Sequence, residues 1–203
     1  MTIITTTLLS IIVFILSYMA GSISSAILVC RLFNLPDPRT TGSQNPGATN
    51  VMRLGGKKAA LITLGGDVIK GLLPVLVVKL LGLTTLSISL AAFGAFLGHL
   101  YPLFFRFKGG KGVATALGVI LGLKPLVALC ILGVWLGVFV ISKISSLSAL
   151  IAALCAPLFL YLFKVPSPIV ITVILIDLLL IIRHRANISR LLRGEEGKIN
   201  LKK

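Results

Sequence analysis

Two polar segments in a chain otherwise built of Leu, Ile and Val carry the residues that could do chemistry. Residues 41–53 read TGSQNPGATNVMR, which puts Ser43, Asn45, Thr49, Asn50 and Arg53 into one short run. Glycines let backbone N–H groups approach a ligand closely, and hydroxyl and amide side chains add neutral donors. Residues 98–115 read GHLYPLFFRFKGGKGVAT, in which Lys108 and Lys111 flank Gly109 and Gly110 ahead of a helix start near Val113. A glycine loop feeding a helix N-terminus, with lysines beside it, suits an anion. It is not the nucleotide-binding P-loop. Phe105 stands where the first glycine of GxxxxGK[ST] belongs, and Gly112 follows Lys111. The plainer alternatives stay open at this point: a turn-rich loop for the first segment, and a basic membrane-edge loop touching lipid phosphates for the second.

Other residues add to the inventory. Asp67 and Lys70 fall near the middle of an apolar stretch, three apart and so on one helix face. Either charge alone would cost ~2.5–3.5 kcal/mol at a bilayer centre. They pair with each other, or Lys70 also turns toward the anion site and binds substrate. His99 precedes the glycine loop, and Arg183, His184 and Asn187 form a possible anion clamp at the end of the last apolar stretch. Ser146, beside Ser145 at another helix end, supplies a donor or caps the helix. A carboxylate base is disfavoured. Phe104 and Ser189 stand five residues after the two histidines, so the HxxxxD pairing of many glycerolipid acyltransferases is absent. None of Asp37, Asp67, Asp177, Glu195 and Glu196 lies in either glycine-rich segment.

The elements that must position these residues are membrane helices. Of 203 residues 57% are hydrophobic and 12% charged, with mean hydropathy +1.07, outside the balance of a soluble domain. Apolar stretches cover residues 8–29, 59–83, 86–105, 113–123, 126–141, 147–163 and 169–182. Most approach the roughly 20 residues that cross a bilayer, whereas an 11-residue helix rises only about 16 Å. No room is left for a soluble domain, so residues 1–203 read as a single polytopic membrane domain.

The net charge of +15 sits between and after the apolar stretches. Basic loops at 31–58 and 106–111 and the basic tail from Arg183 belong on the cytoplasmic side by the positive-inside rule. One continuous helix over 113–141 would put the tail outside. A break at Lys124-Pro125, where proline removes a backbone donor, returns all three regions to one face. The expected fold is therefore an all-α integral membrane protein with about seven transmembrane helices, one short, N-terminus outside and C-terminus cytoplasmic. The N-terminal MTIITTTLLS lacks a positive n-region and reads as a retained span. Cys30, Cys130 and Cys155 have no CxxC spacing and read as small buried hydrophobes without a metal.

Nucleic acid is excluded as a partner, because the cations do not line a soluble face with interleaved aromatics. An anion or phosphate-ester transporter is the competing class. It should bring polar residues to both membrane faces, yet the outer loops at 82–85, 124–125 and 164–168 are short and poor in donors. No inverted repeat supports it either. A non-catalytic scaffold leaves both glycine-rich segments unexplained.

The segments GSISSAILVCRL from Gly21, GSQNPGATNVMR from Gly42, DVIKG from Asp67, GHLYPLFFRFKGGKGVAT from Gly98 and IIRHRANISRL from Ile181 closely resemble the bacterial acyl-phosphate:glycerol-3-phosphate acyltransferases (the PlsY family). The resemblance spans nearly the whole chain, with several motifs in order. It implies a seven-helix enzyme of the bacterial inner (plasma) membrane with its active site on the cytoplasmic side. Such an enzyme moves a fatty acyl group from acyl phosphate to glycerol 3-phosphate, giving lysophosphatidic acid and phosphate for phospholipid biosynthesis. No cofactor, no acyl-CoA and no metal are implied. The implied partners are glycerol 3-phosphate, acyl phosphate, membrane lipid and a soluble enzyme that makes acyl phosphate.

Carried onto this sequence, the resemblance makes Ser43, Arg53, Lys111, Ser146, His184 and Asn187 the clamp for glycerol phosphate and phosphate. Asn45, Thr49, Asn50, His99 and Lys108 join Ser43 and Lys111 as the candidate catalytic set. One departure is Gln44, where the family reads glycine (GSGNPGATN). Because acyl phosphate is already activated, positioning and charge stabilisation suffice. The glycerol-phosphate dianion, with a second pKa of about 6, is itself a candidate acceptor for the hydroxyl proton.

Overall fold

The computed structural model describes residues 3–199, and the last residues of the basic tail, 200–203, lie outside them. Among the described residues there are helices and no strands. Five helical segments are long and apolar enough to cross a membrane, or six if a bent pair near the C-terminus counts as one span. The chain divides into two compact units at Leu123 and Lys124.

In the first unit, α1 (Ile3–Gly21) and α2 (Ser25–Leu32) form one apolar span with a break between them. The expected apolar stretch over 8–29 lies within this span, and the break at residues 22–24 is an addition to that reading. The break frees carbonyl groups inside an apolar medium, where each needs a partner. The Lys70 ammonium supplies one, donating to the Ile23 carbonyl at 2.8 Å. Helix α3 (Ala48–Leu80) starts eleven residues earlier than its apolar stretch, so Thr49, Asn50 and Arg53 sit in its first turns rather than in the expected 31–58 loop. Gly56, at φ +75°, interrupts it, a conformation that other residues reach only under strain.

Helix α4 (Thr85–Leu100) packs along α1, and α5 (Val113–Leu123) along α3. Small residues permit both approaches. A Cβ at Gly98 would strike the Tyr18 carbonyl oxygen, and one at Gly118 the Val68 carbonyl oxygen. In a bilayer such close packing and polar ties replace the hydrophobic drive. The ties here are Ser10 with Ser87 at 2.9 Å and the Tyr18 hydroxyl donating to the Tyr101 carbonyl at 2.7 Å. A short 3-10 turn, Leu103–Phe105, leads from α4 to the glycine loop. Lys79 donates to the Leu123 carbonyl at 3.1 Å, a cation on the orphan carbonyls that end α5.

The second unit holds α6 (Pro125–Ser142), α7 (Ser145–Leu162), α8 (Ser167–Arg183) and α9 (Arg185–Leu192). The expected break is present: Pro125 opens α6 and Lys124 is extended at φ −152°. Helix α7 packs on both α6 and α8, and α9 leaves α8 at 60°. Leu, Ile and Val side chains stay exposed along these helices, as lipid-facing residues do. Cys30 is buried as expected, whereas Cys130 and Cys155 are half-buried; all three are unpaired thiols.

Candidate active site

The first unit builds its site from Asn50 outward. This side chain is fully buried and its hydrogen-bonding capacity goes to backbone. Its Oδ1 accepts from the Ser43 amide at 2.9 Å, and its Nδ2 donates to the Pro38 and Thr41 carbonyls at 3.0 Å each. Asn50, expected among the catalytic side chains, is here engaged with backbone groups. It anchors the loop to the first turn of α3, because a bent loop over 38–43 leaves backbone groups that only a branched amide can serve together. What it holds in place is Ser43, whose side chain is exposed at the loop tip, with Asn45 and Thr49 half-buried beside it.

Gln44 adopts φ +55°, the left-handed conformation that explains a glycine at this position in related motifs. Its side chain is exposed, so it widens no wall into the loop. Gly42, at φ +66°, sits where a Cβ would meet the Asn50 Oδ1.

The two glycine-rich segments meet. A Cβ at Gly110 would lie 3.0 Å from the Pro46 carbonyl oxygen and would collide with the His99 ring. The Gly110 amide also donates to the His99 carbonyl at 3.2 Å. His99 is thus a buried wall behind the glycine loop. Its Nδ1 stands 3.6 Å from Asp67 Oδ1, and the same oxygen lies 2.9 Å from the Lys70 ammonium. Asp67 and Lys70 pair as the plainer reading expected, and Lys70 also holds the Ile23 carbonyl, which makes it a support of the span break. Lys111 is half-buried beside this loop, while Lys108 and Arg53 are exposed.

In the second unit Ser146, His184 and Asn187 are all buried. The His184 Nδ1 lies 2.8 Å from the Leu180 carbonyl, which can only accept, so Nδ1 carries the proton and Nε2 is the basic nitrogen of the neutral ring. Sequence reasoning missed Glu196. Its Oε1 accepts from the Ser146 hydroxyl at 2.6 Å and from the Asn187 amide at 2.5 Å, and its Oε2 from Arg190 Nε at 2.6 Å. Burial raises the carboxyl's pKa, but these three hydrogen bonds outweigh it and hold the group below the usual range. Three donors thus converge on this one carboxylate, two on Oε1 and one on Oε2. Its one sequence signal was a carboxylate pair just past the clamp motif. Asp177 is buried in α8, its Oδ2 without a hydrogen bond.

The family described as glycerol-3-phosphate acyltransferase matches residues 11–194. A glycerol-3-phosphate acyltransferase of Thioalkalivibrio sulfidiphilus is 58% identical over 92% of each chain. One of Methylococcus capsulatus is 51% identical over 92% of this chain and 94% of its own. Among solved structures, the crystal structure of PlsY (YgiH), an integral membrane glycerol 3-phosphate acyltransferase, superposes in its glycerol 3-phosphate form with a TM-score of 0.90. That chain is 41% identical, and the match covers 94% of this chain and 96% of that one. Its lysophosphatidic acid form gives 0.87 at 40% identity, covering 94% and 95%. By its motifs, its helices and these likenesses, the chain belongs to the glycerol-3-phosphate acyltransferase family of integral membrane proteins.

Proposed function

We propose that this protein transfers a fatty acyl group from acyl phosphate to glycerol 3-phosphate, giving lysophosphatidic acid and phosphate. The observation that carries the reading is the preformed loop that Asn50 ties to α3, joined at Pro46 and Gly110 to the lysine-flanked glycine loop. Its donors are cationic or neutral, which matches substrates that bring their own negative charge.

In this reaction the glycerol hydroxyl attacks the acyl carbonyl, the carbon–oxygen bond to phosphate breaks, and phosphate leaves. Ser43, Arg53, Lys108 and Lys111 of the first unit contact phosphate groups, and the resemblance assigns phosphate binding to Ser146, His184 and Asn187 of the second unit. Asn45 and Thr49 line the loop. His99, Lys70 and Asn50 act through their neighbours as positioning residues. The hydroxyl proton goes to the glycerol-phosphate dianion, with His184 Nε2 as the alternative acceptor supported by its tautomer.

The protein spans the bacterial inner membrane about seven times, with α5 as the short crossing, N-terminus outside and C-terminus cytoplasmic. The break at Lys124 supports this count, since it returns all basic segments to one face. The acyl phosphate comes from a soluble enzyme.

The test is phosphate release by purified protein given synthetic acyl phosphate and glycerol 3-phosphate. No release, together with uptake of labelled glycerol 3-phosphate into proteoliposomes, would replace the enzyme with a transporter. Loss of turnover with retained binding and a shifted pH profile in both His99→Ala and His184→Gln would transfer the base role to histidine.

A further inference from the structure

We propose that the first unit carries a second anion site, beside the acyl-transfer machinery and sharing only Lys108 with it, that holds the phosphate headgroup of an anionic membrane lipid. A cavity of about 410 Å³ opens where the α1–α2 span and the span through α4 and its 3-10 turn both end. Four cations line it, Arg31, Arg39, Arg106 and Lys108, against the single carboxylate of Asp37.

Arg39 neutralises that carboxylate with a forked pair, Nη2 to Oδ2 at 2.6 Å and Nε to Oδ1 at 3.0 Å, and steadies the wall by donating to the Phe105 carbonyl at 3.3 Å. Arg31 also attracts the same carboxylate from a longer range, so a single Asp37 faces four cations and the lining keeps a surplus of three positive charges. Arg31 lies 6.0 Å over the Phe105 ring, which fixes its plane beside the cavity. Arg106 is held in the left-handed conformation, φ +57°, directly after the 3-10 turn.

The cavity far exceeds the roughly 10–15 Å³ that one water needs, so it admits a hydrated polar headgroup. Its surroundings select an amphiphile. Leu32, Phe104 and Phe107 are 75%, 54% and 56% exposed at the same span ends, an apolar apron on which acyl chains can lie while the headgroup meets the arginines. A free phosphate ester would use the cations and leave the apron bare.

The turn at 37–41 is shared by this cavity and the catalytic loop. Asp37, Arg39 and Thr40 line the cavity, and the Pro38 and Thr41 carbonyls accept from Asn50. A bound headgroup therefore braces the same turn that holds Ser43.

The test is native mass spectrometry of the detergent-purified full chain incubated with phosphatidylglycerol, with phosphatidylcholine, or with inorganic phosphate. Wild type is expected to retain phosphatidylglycerol over phosphatidylcholine. The Arg31→Gln/Arg106→Gln variant should lose at least about tenfold in that retention, and Arg31→Lys/Arg106→Lys, which keeps both charges, should recover most of it. Phosphate release in phosphatidylcholine nanodiscs should stay near wild type for both variants, which reads out intact folding and the acyl-transfer reading separately. Undiminished phosphatidylglycerol retention by the glutamine variant, or equal retention of phosphatidylcholine by wild type, overturns the site. Displacement of the lipid by an equal concentration of inorganic phosphate overturns the lipid as its occupant.

Discussion

The Ser43 amide donates to Asn50 Oδ1 at 2.9 Å across seven residues of chain, so the tip of the glycine-rich loop hangs from the first turn of α3. With two further bonds from Nδ2, one side chain sets the shape of a loop whose own residues have little to pack. A net hydrogen bond is worth about 1 kcal/mol, and an orphaned buried partner costs ~1–3 kcal/mol.

Asn50→Asp should therefore damage more than its small change in shape suggests, because Oδ2 would face two carbonyl oxygens. We expect kcat/KM for glycerol 3-phosphate to fall at least about tenfold and stability by roughly 2 kcal/mol. Kinetics of phosphate release and thermal unfolding in detergent measure both. A variant with wild-type kinetics would remove Asn50 from any role in shaping the loop.

Gln44→Gly should be nearly silent. The left-handed backbone at Gln44 costs about 1–2 kcal/mol relative to glycine, and the greater freedom of glycine in the unfolded chain offsets roughly 0.5–1 kcal/mol of that relief. Stability should move by no more than about 1 kcal/mol and turnover by less than about twofold. A large loss of turnover would mean that the exposed Gln44 side chain touches substrate.

Glu196 gives a pH signature. Its folded carboxyl lies below the ordinary value of about 4.3, so its contribution to stability is complete above about pH 5 and is lost as pH falls through the folded pKa. Glu196→Gln removes the charged hydrogen bonds to Ser146, Asn187 and Arg190 and should destabilise by about 2 kcal/mol at neutral pH. The gap between wild type and variant should then narrow in unfolding scans taken below about pH 4.5. A gap that stays constant down to pH 3 would argue against an ionised Glu196.

The Asp67–Lys70 pair should behave as a unit. Lys70→Met leaves a buried carboxylate without its cation and the Ile23 carbonyl without its donor, a loss of ~3–5 kcal/mol. Adding Asp67→Asn should recover part of it, because the orphaned charge goes too. Denaturant unfolding of the two singles and the double gives the coupling, and strict additivity would rule the pairing out.

Gly110→Ala should abolish most activity, since the added Cβ meets the His99 ring and the Pro46 carbonyl at the junction of the two loops. Overpacking of this kind costs about 1–3 kcal/mol. Full activity in the alanine variant would show that the junction is loose.

The sequence by itself determined the solvent, the helix stretches, the break at Lys124-Pro125 and the grouping of donors into short motifs. Each is local: apolar run length, proline chemistry and glycine spacing act within a few residues. The Asp67–Lys70 pairing was also legible, because three residues is one helical neighbour distance. Only the tertiary structure decided that Asn50 serves backbone groups from residue 38 to residue 43, that Lys70 repairs a break 47 residues away, and that Glu196 folds back onto Ser146 and Asn187. Those roles depend on which orphaned backbone and side-chain groups the packed helices leave without water. An apolar pattern tells where helices run; unsatisfied polar groups exist only once the helices have met.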